Sequence, residues 1–184
     1  LEEVGFVINI HLNDGTIKEY PKGTSIIQIA KDISPRLAKN AVLAIFNGEE
    51  TDLNKVIEND GSLEILDFTD DQGKDVYRHT SAHILAQAVK RLWPNTALAI
   101  GPAIDKGYYY DFDSEHTFSP DDMPLIEAEM KKIIKENLPI ERIELTKDEA
   151  VKFFKENNEE FKVELIEALP EDEVISIYKQ GEFV

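Results

Sequence analysis

The N-terminal third of the chain alternates apolar and polar residues in the manner of β-strands. Residues 6–12 and 16–20 alternate on the two sides of Asn13-Asp14-Gly15. An Asp-Gly pair between two alternating runs is typical of a β-hairpin with a tight turn. The pattern therefore predicts a hairpin at the start of the chain.

A helix and two more strands are predicted after this hairpin. Thr24 or Ser25 can cap a helix through Ile33, and Pro35 stops it. The apolar runs at residues 41–46 and 62–68 favour two further strands. About the first 65 residues thus predict a compact ββαββ module.

The composition changes between Thr69 and Asp75, where TDDQGKD contains no apolar residue. Such a segment is typical of an exposed loop or linker. We place a boundary there, between one domain over residues 1–69 and a second over residues 76–184.

Helical and strand-like patterns mix in the second part, which predicts an α+β domain with antiparallel strands. Its first element is a long helix from Val76 to Trp93, closed by Pro94. The elements expected after it are strands with tight turns at 97–110, a helix from Asp121 or Asp122 to about 137, a strand at 139–145, a helix capped by Thr146 and Glu149 to about 157, a helix near 160–169 and a strand at 174–178.

Two histidines at the start of the long helix are the candidate catalytic or metal-binding pair. His79 and His83 are four residues apart, so on a helix both imidazoles project from one face. Such a pair could hold one ion or one water molecule. In isolation a solvated helix face is the commoner interpretation of this spacing.

The charge limits the partners that the chain can take. Its 37 acidic and 20 basic residues give a net charge of −17, which disfavours binding to long nucleic acids. Basic residues cluster at Lys90-Arg91 and Lys131-Lys132, where a short single-stranded end could bind, although solvated helix faces are the simpler interpretation. We expect a soluble cytoplasmic protein, because no apolar run of about 18 residues and no signal sequence is evident.

The long helix and the residues after it resemble one enzyme family. The stretch RHTSAHILAQAVKRLWPNTALAIGPAIDKGYYYDFD, residues 78–113, is similar to the second N-terminal domain of threonyl-tRNA synthetases, in which an editing site begins. Residues 11–25 and 56–66 resemble the TGS domain that precedes it in those enzymes. The resemblance implies a ubiquitin-like β-grasp module followed by an α+β editing domain.

The resemblance also implies an activity, the hydrolysis of seryl-tRNA made in error by a threonine-tRNA ligase. Serine lacks one methyl group of threonine, a difference worth only about 1 to 3 kcal/mol in a pocket, so a second, hydrolytic site is needed. In the family, the residues matching His79 and His83 line the pocket and order water. Lys162 matches an editing lysine, and Tyr110 and Gly101 match pocket positions.

One part of the family pattern is absent. The Cys-xxx-His motif and the aspartate before it would follow Val184, and the residues after Gly181 favour a new strand, so we expect a piece of a longer chain. Two histidines without cysteine cannot complete a tetrahedral zinc site, so we expect no bound metal here.

Other ligands and partners are expected in the longer enzyme. The resemblance implies that the ATP, Mg and Zn sites lie in a catalytic core outside this chain. It also implies that the acceptor end of tRNA-Thr is a partner and that the longer enzyme is a homodimer formed through other domains. Two alternatives stay open. One is a free-standing editing hydrolase, which would need the missing Cys and His in its own chain. The other is a non-catalytic TGS-type module that docks RNA or protein.

Overall fold

The computed structural model describes residues 6–184, and the chain divides into two compact units, one up to Arg78 and one from His79 to Val184. The first unit contains seven strands and two helices before residue 68 in the described part of the chain. They are β1 Val7–Leu12, β2 Ile17–Pro21, β3 Thr24–Ser25, α1 Ile26–Ile33, α2 Pro35–Asn40, β4 Ala41–Phe46, β5 Glu49–Thr51, β6 Val56–Ile57 and β7 Gly61–Asp67.

Five of these strands form one mixed sheet in the order β2-β1-β7-β4-β5. The central pair β1 and β7 is parallel, and the other neighbours are antiparallel. The short strands β3 and β6 pair separately. A hairpin followed by a helix and a return to a parallel central strand is the β-grasp arrangement, so the predicted fold of this module is confirmed.

Local hydrogen bonds and backbone preferences explain the hairpin turn and the two ends of the first helix. The backbone N–H of Thr16 donates to the Asp14 carboxylate in the predicted hairpin turn, where Gly15 has a φ of +83°. Ser25 caps α1 by accepting from the Gln28 backbone N–H. Pro35 not only ends α1 but also begins α2, because proline suits the first turn of a helix.

Apolar residues of α1 and of one sheet face form the core of the first unit. The members are Ile8, Ile10, Tyr20, Ile26, Ile29, Ala44, Ile57 and Leu63. Full burial of an isoleucine side chain stabilises a fold by roughly 1.5 to 3 kcal/mol. The amphipathic pattern read from the sequence therefore corresponds to the observed core.

The loop predicted between Thr69 and Asp75 is wrong, because helix α3 runs from Asp71 to Leu92. Its first intrahelical bond joins the Lys74 N–H to the Asp70 carbonyl at 2.9 Å. The negative side chain of Asp71 is favourable at the positive end of the helix dipole. The polar composition thus belongs to the first turn of a helix rather than to a linker. The division into domains 1–69 and 76–184 stays a prediction.

The second unit combines helices with short antiparallel strand pairs. After α3 its elements are β8 Ala97–Leu98, β9 Ala103–Ile104, β10 Gly107–Tyr108, β11 Phe112–Asp113, α4 Met123–Glu136, β12 Ile140–Leu145, α5 Lys147–Glu156, α6 Glu160–Glu167 and β13 Ile175–Gln180. The pairs are β8 with β11, β9 with β10 and β12 with β13, all antiparallel. The predicted α+β class is confirmed, although the strands form separate pairs rather than one sheet.

Two apolar clusters support these elements. One joins the C-terminal half of α3 to α4 through Ala88, Val89, Ile126 and Ile133. The other packs α5 and α6 on β12 and β13 around Phe154 and Val163. Among the described residues, no helix is both long and apolar enough to cross a membrane.

The new strand expected after Gly181 is not formed. Gly181 has a φ of +62°, in the left-handed region, and only a single bridge joins Gln180 to Phe183. The chain therefore turns back on the end of β13, because glycine adopts this backbone conformation at little cost.

Candidate functional site

The His79 and His83 side chains contact each other on one face of α3. Their Nε2 atoms are 3.0 Å apart, and the rings meet edge to face with centroids 4.6 Å apart. His79 is exposed, whereas His83 is partly buried. The helical spacing predicted this common face, and one N–H of the pair can be donated to the other ring.

The environment of His83 favours its neutral form. Burial, then the neighbouring His79, then the positive charge of Lys162 lower the pKa of His83 from 6.5 to about 4. At neutral pH the ring is uncharged and is a weak base. An efficient general base has a pKa near the working pH. His83 is therefore suited to form a hydrogen bond with a water molecule, as donor or as acceptor, rather than to remove a proton from the water.

A carboxylate lies between two lysines in the same unit. Glu159 Oε1 is 3.1 Å from Lys90 Nζ on α3, and Glu159 Oε2 is 3.9 Å from Lys162 Nζ on α6. The exposed fractions of these side chains are 10% for Glu159, 30% for Lys90 and 19% for Lys162. A carboxylate this buried requires positive partners to offset the cost of removing it from water.

Lys162 is held on several sides. Its Nζ donates to the Val184 carbonyl at 2.7 Å and lies 5.0 Å from the centre of the Phe154 ring. The pKa of Lys162 is lowered from its ordinary value, chiefly by burial. The Glu159 carboxylate opposes this shift, and the positive charge of Lys90 adds to it. The ammonium therefore depends on Glu159 for its charge balance.

Tyr110 and Gly101 form a second contact in this unit. A Cβ atom on residue 101 would lie 2.0 Å from Tyr110 Cδ2, so only glycine allows the ring to lie against this backbone. Phe112 stacks on Tyr110 with centroids 5.0 Å apart. Burial and then the charge of Glu159 raise the pKa of the Tyr110 hydroxyl to about 12, so it remains a hydrogen-bond donor at neutral pH.

This chain is similar to known sequences of one enzyme family. Residues 8–67 match the TGS domain model. The chain is 62% identical to a threonine–tRNA ligase of Syntrophomonas wolfei over 97% of its length, 59% identical to that of Caldanaerobacter subterraneus over 95%, and 58% identical to one of Clostridium botulinum over 96%. The chain is homologous to threonine–tRNA ligases. It spans about 28% of the length of these relatives.

The match to threonine–tRNA ligases confirms the family resemblance read from the sequence. The TGS match ends at residue 67, so it covers the β-grasp module and none of the candidate site residues. The similarity that includes His79, His83 and Lys162 is the similarity to the ligases. The roles predicted for these residues, and for Tyr110 and Gly101, stay predictions.

Sequence reasoning missed two charged residues of this ligase homologue. Lys90 was interpreted as part of a solvated helix face, but it is seven residues after His83, on nearly the same face, and contacts Glu159. Its Nζ also donates to the Thr96 carbonyl at 2.9 Å. Glu159 precedes Lys162 by three residues, a spacing that can signal an ion pair. The pairing across to α3 had no sequence signal.

The other basic and histidine residues have structural or surface roles. Arg91 pairs with Glu136 on α4, and Lys131 forms an exposed pair with Glu127. His116 stacks on Trp93 and bonds to Asp122, as expected for a structural residue.

Metal binding has no dedicated site in the part of the chain that the structure describes. No group of three or more His, Asp or Glu side chains is arranged to hold a metal ion there. The two imidazoles are bonded to each other, and a structural zinc site requires four protein ligands. The expectation that this chain binds no metal stays a prediction.

Proposed function

We propose that this chain is the N-terminal part of a threonine–tRNA ligase, and that its second unit contributes to a site that hydrolyses seryl-tRNA formed in error. Homology to the ligases over 97% of the chain supports the first statement. The observation that carries the second is the His79–His83 pair, with Nε2 atoms 3.0 Å apart and within the electrostatic influence of Lys162.

The chemistry needed is the attack of water on the ester carbonyl, with cleavage of the carbonyl carbon's bond to the ribose oxygen. The ribose oxygen takes the proton that the water loses and leaves as a hydroxyl, which releases serine. A neutral imidazole pair keeps two ring nitrogens outside its mutual hydrogen bond, one a donor and one an acceptor. Either nitrogen can orient a water molecule, which converts solvent into a positioned nucleophile. The Lys162 ammonium can stabilise the oxyanion that develops on the carbonyl oxygen. A protonated Tyr110 hydroxyl can donate a hydrogen bond to the substrate.

Hydrolysis explains why a ligase for threonine would carry such a site. A pocket that accepts threonine cannot strongly exclude serine, because the missing methyl group is worth only about 1 to 3 kcal/mol. Removal of the wrong product after synthesis multiplies the two selectivities. The substrate of the site is therefore the serine ester at the acceptor end of the tRNA.

The rest of the proposed enzyme supplies what this chain lacks. The net charge of −17 opposes capture of a polyanion, so other regions must bind most of the tRNA. ATP, Mg and Zn sites, and a homodimer interface, belong in this proposal to the catalytic core. Cytoplasmic protein synthesis is the proposed setting.

Deacylation of preformed seryl-tRNA-Thr tests the proposal. We would compare this chain with a longer chain that extends past the expected Cys-xxx-His motif, and introduce His79→Ala and His83→Ala separately into the longer chain. His11→Ala is the matched control, because His11 is an exposed histidine on β1. Threonylation of tRNA-Thr with ATP by the longer chain tests the ligase assignment.

We expect slow hydrolysis by this chain, rapid hydrolysis by the longer one, and a loss of roughly a hundredfold or more in both site variants. Rapid hydrolysis by this chain would show that the site is complete without the motif. Full activity in both site variants would refute the histidine assignment. A longer chain that binds tRNA without hydrolysing its ester would favour the non-catalytic binding module.

A further inference from the structure

We propose that Glu159 is a positioning residue of this site, whose carboxylate holds the ammonium groups of Lys90 on α3 and Lys162 on α6 in place relative to each other. The effect of Glu159 on catalysis rests on the proposed function. The ion pairs of Glu159 with the two lysines concern only residues of this chain and can be tested without any substrate.

The geometry of the carboxylate supports this role. The two oxygens of Glu159 face different cations, Lys90 at 3.1 Å and Lys162 at 3.9 Å. The lysines come from different helices, α3 and α6, so one carboxylate ties the helix that carries the histidines to the helix that carries the lysine. With 10% of its side chain exposed, Glu159 is less accessible than either partner.

The Glu159 side chain does not cap the helix that it precedes. Glu159 is the N-cap residue of α6, and its side chain makes no capping hydrogen bond. The side chains favoured for capping at this position are those of Ser, Thr, Asp and Asn, and not that of Glu. The carboxylate of Glu159 is therefore available for the ion pairs with the two lysines.

The contact between Glu159 and Lys162 is an ion pair without a hydrogen bond. Glu159 Oε2 is buried and accepts no hydrogen bond within the described chain, and 3.9 Å is longer than a direct hydrogen bond. Lys162 is thus held by its hydrogen bond to the Val184 carbonyl and by the charge of Glu159, which occupies none of its N–H donors. A hydrogen-bonded pair would leave fewer donors for the reaction.

Ionisable groups of several elements interact with Lys162 or with its partner Glu159. Glu159, Lys90 and His83 interact with Lys162, and the charge of Glu159 acts on Tyr110. Glu182 lines the same cavity of about 150 Å³ as Glu159 and Lys90. His83 and Tyr110 are uncharged at neutral pH. Without the Glu159 charge, burial and Lys90 would both lower the pKa of Lys162.

A titration of the Lys162 side chain by nitrogen NMR tests the ion pairs of Glu159 in this chain. We expect Glu159→Gln to lower the pKa of Lys162 and Lys90→Met to raise it, because the two charges act in opposite directions. Glu160→Gln is the matched control: it removes the same charge one residue away, at an exposed position, and should leave the titration unchanged.

Deacylation kinetics of the longer chain test the effect of Glu159 on catalysis. We expect Glu159→Gln to lower kcat for seryl-tRNA roughly ten- to a hundredfold with little change in KM, since misplacement of a catalytic group affects the chemical step. The alkaline limb of the pH–rate profile should move to lower pH. Glu160→Gln should match the unaltered protein in rate and profile.

The outcomes separate the two proposals. No deacylation by the unaltered longer chain would refute the proposed function, and the catalytic role of Glu159 with it, whatever the titration shows. Deacylation that persists in Glu159→Gln with an unchanged rate and profile would overturn the positioning role alone. If circular dichroism shows that Glu159→Gln does not fold, the titration of Lys90→Met is used instead. An upward shift of the pKa of Lys162 in Lys90→Met would support the charge coupling of these side chains. An unchanged pKa of Lys162 would overturn it.

Discussion

The Nε2 atoms of His79 and His83 lie 3.0 Å apart, so one of these two nitrogens must carry the proton that the other accepts. Protonation of both rings would place two positive charges at this distance and remove the hydrogen bond, because neither Nε2 could then accept. The pair is therefore stable in its neutral form, and acid should weaken the fold around it.

The pKa of His83 predicts how stability depends on pH. The folded value of about 4 lies below the unfolded value of 6.5, so between these two the unfolded chain binds more protons. The free energy of unfolding should therefore fall as the pH drops from 6.5 to 4, by on the order of 2 kcal/mol after allowance for partial exposure.

Urea unfolding at pH 7, 5 and 4 measures this effect. His83→Gln keeps a hydrogen-bonding side chain but cannot be protonated, so its stability should decline less over this range. His11→Gln removes an exposed histidine and serves as the control. An identical decline in His83→Gln and in the unaltered chain would contradict the assignment.

Gly101 should not tolerate even a methyl group. Alanine would place Cβ 2.0 Å from Tyr110 Cδ2 and 2.4 Å from Cε2, so the ring must move. Gly101→Ala is expected to lower the free energy of unfolding by about 1 to 3 kcal/mol. In a double-mutant cycle with Tyr110→Ala, the cost of Gly101→Ala should largely disappear, and additive costs would show that the ring is not the obstacle.

Gly73 provides a case in which two effects oppose each other. Within a helix, alanine is favoured over glycine by about 1 kcal/mol. At this position, however, a Cβ would lie 1.9 Å from the Asp67 carbonyl oxygen, a backbone atom that cannot simply rotate away. We expect Gly73→Ala to destabilise the chain by about 2 kcal/mol, measured by chemical denaturation. A stabilising effect would show that β7 and α3 are separated more easily than the contact implies.

Arg91 should contribute more to stability than other surface ions. It donates to both carboxylate oxygens of Glu136, at 2.6 and 2.7 Å, and also contacts Glu129. Arg91→Ala is expected to cost about 1 kcal/mol, less at high salt. The control Lys131→Ala breaks an exposed pair with Glu127 and should cost less than about 0.5 kcal/mol. Equal effects in thermal unfolding would contradict this ranking.

The elements that were predicted correctly are those with strong local signals. The hairpin at Asp14-Gly15, the helix capped by Ser25 and the helix with Thr146 and Glu149 at its start all depend on residues close in sequence. Each is stabilised by hydrogen bonds within a few residues. Such bonds form wherever the segment lies in the fold, which is why the sequence alone predicts them.

The errors arose where distant parts of the chain decide the structure. The first turns of α3 contain no apolar residue, and Gly73 suggested a loop, but this glycine is required by the close approach of the Asp67 carbonyl. The turn at Gly181 returns the chain to Gln180 instead of extending it. Neither contact leaves a periodic pattern in the sequence.

The candidate site was predictable only in part for the same reason. The shared face of His79 and His83 follows from helical spacing, whereas a role for Lys162 in the same site is implied by family resemblance alone. Glu159 was missed because its role depends on Lys90, which is 69 positions earlier in the chain. A buried charge balance between two helices cannot be inferred from either helix separately.

The start of α6 has a consequence for how the site would lose its arrangement. Because the Glu159 side chain does not cap the helix, the ion pair with Lys90 is its link from the first turn of α6 to α3. Fraying of that turn would withdraw Glu159 and Lys162 from α3 together. Amide hydrogen exchange at the beginning of α6 should therefore measure the population in which the histidines lack their charged neighbours, and the fraction of molecules ready to react cannot exceed the remainder.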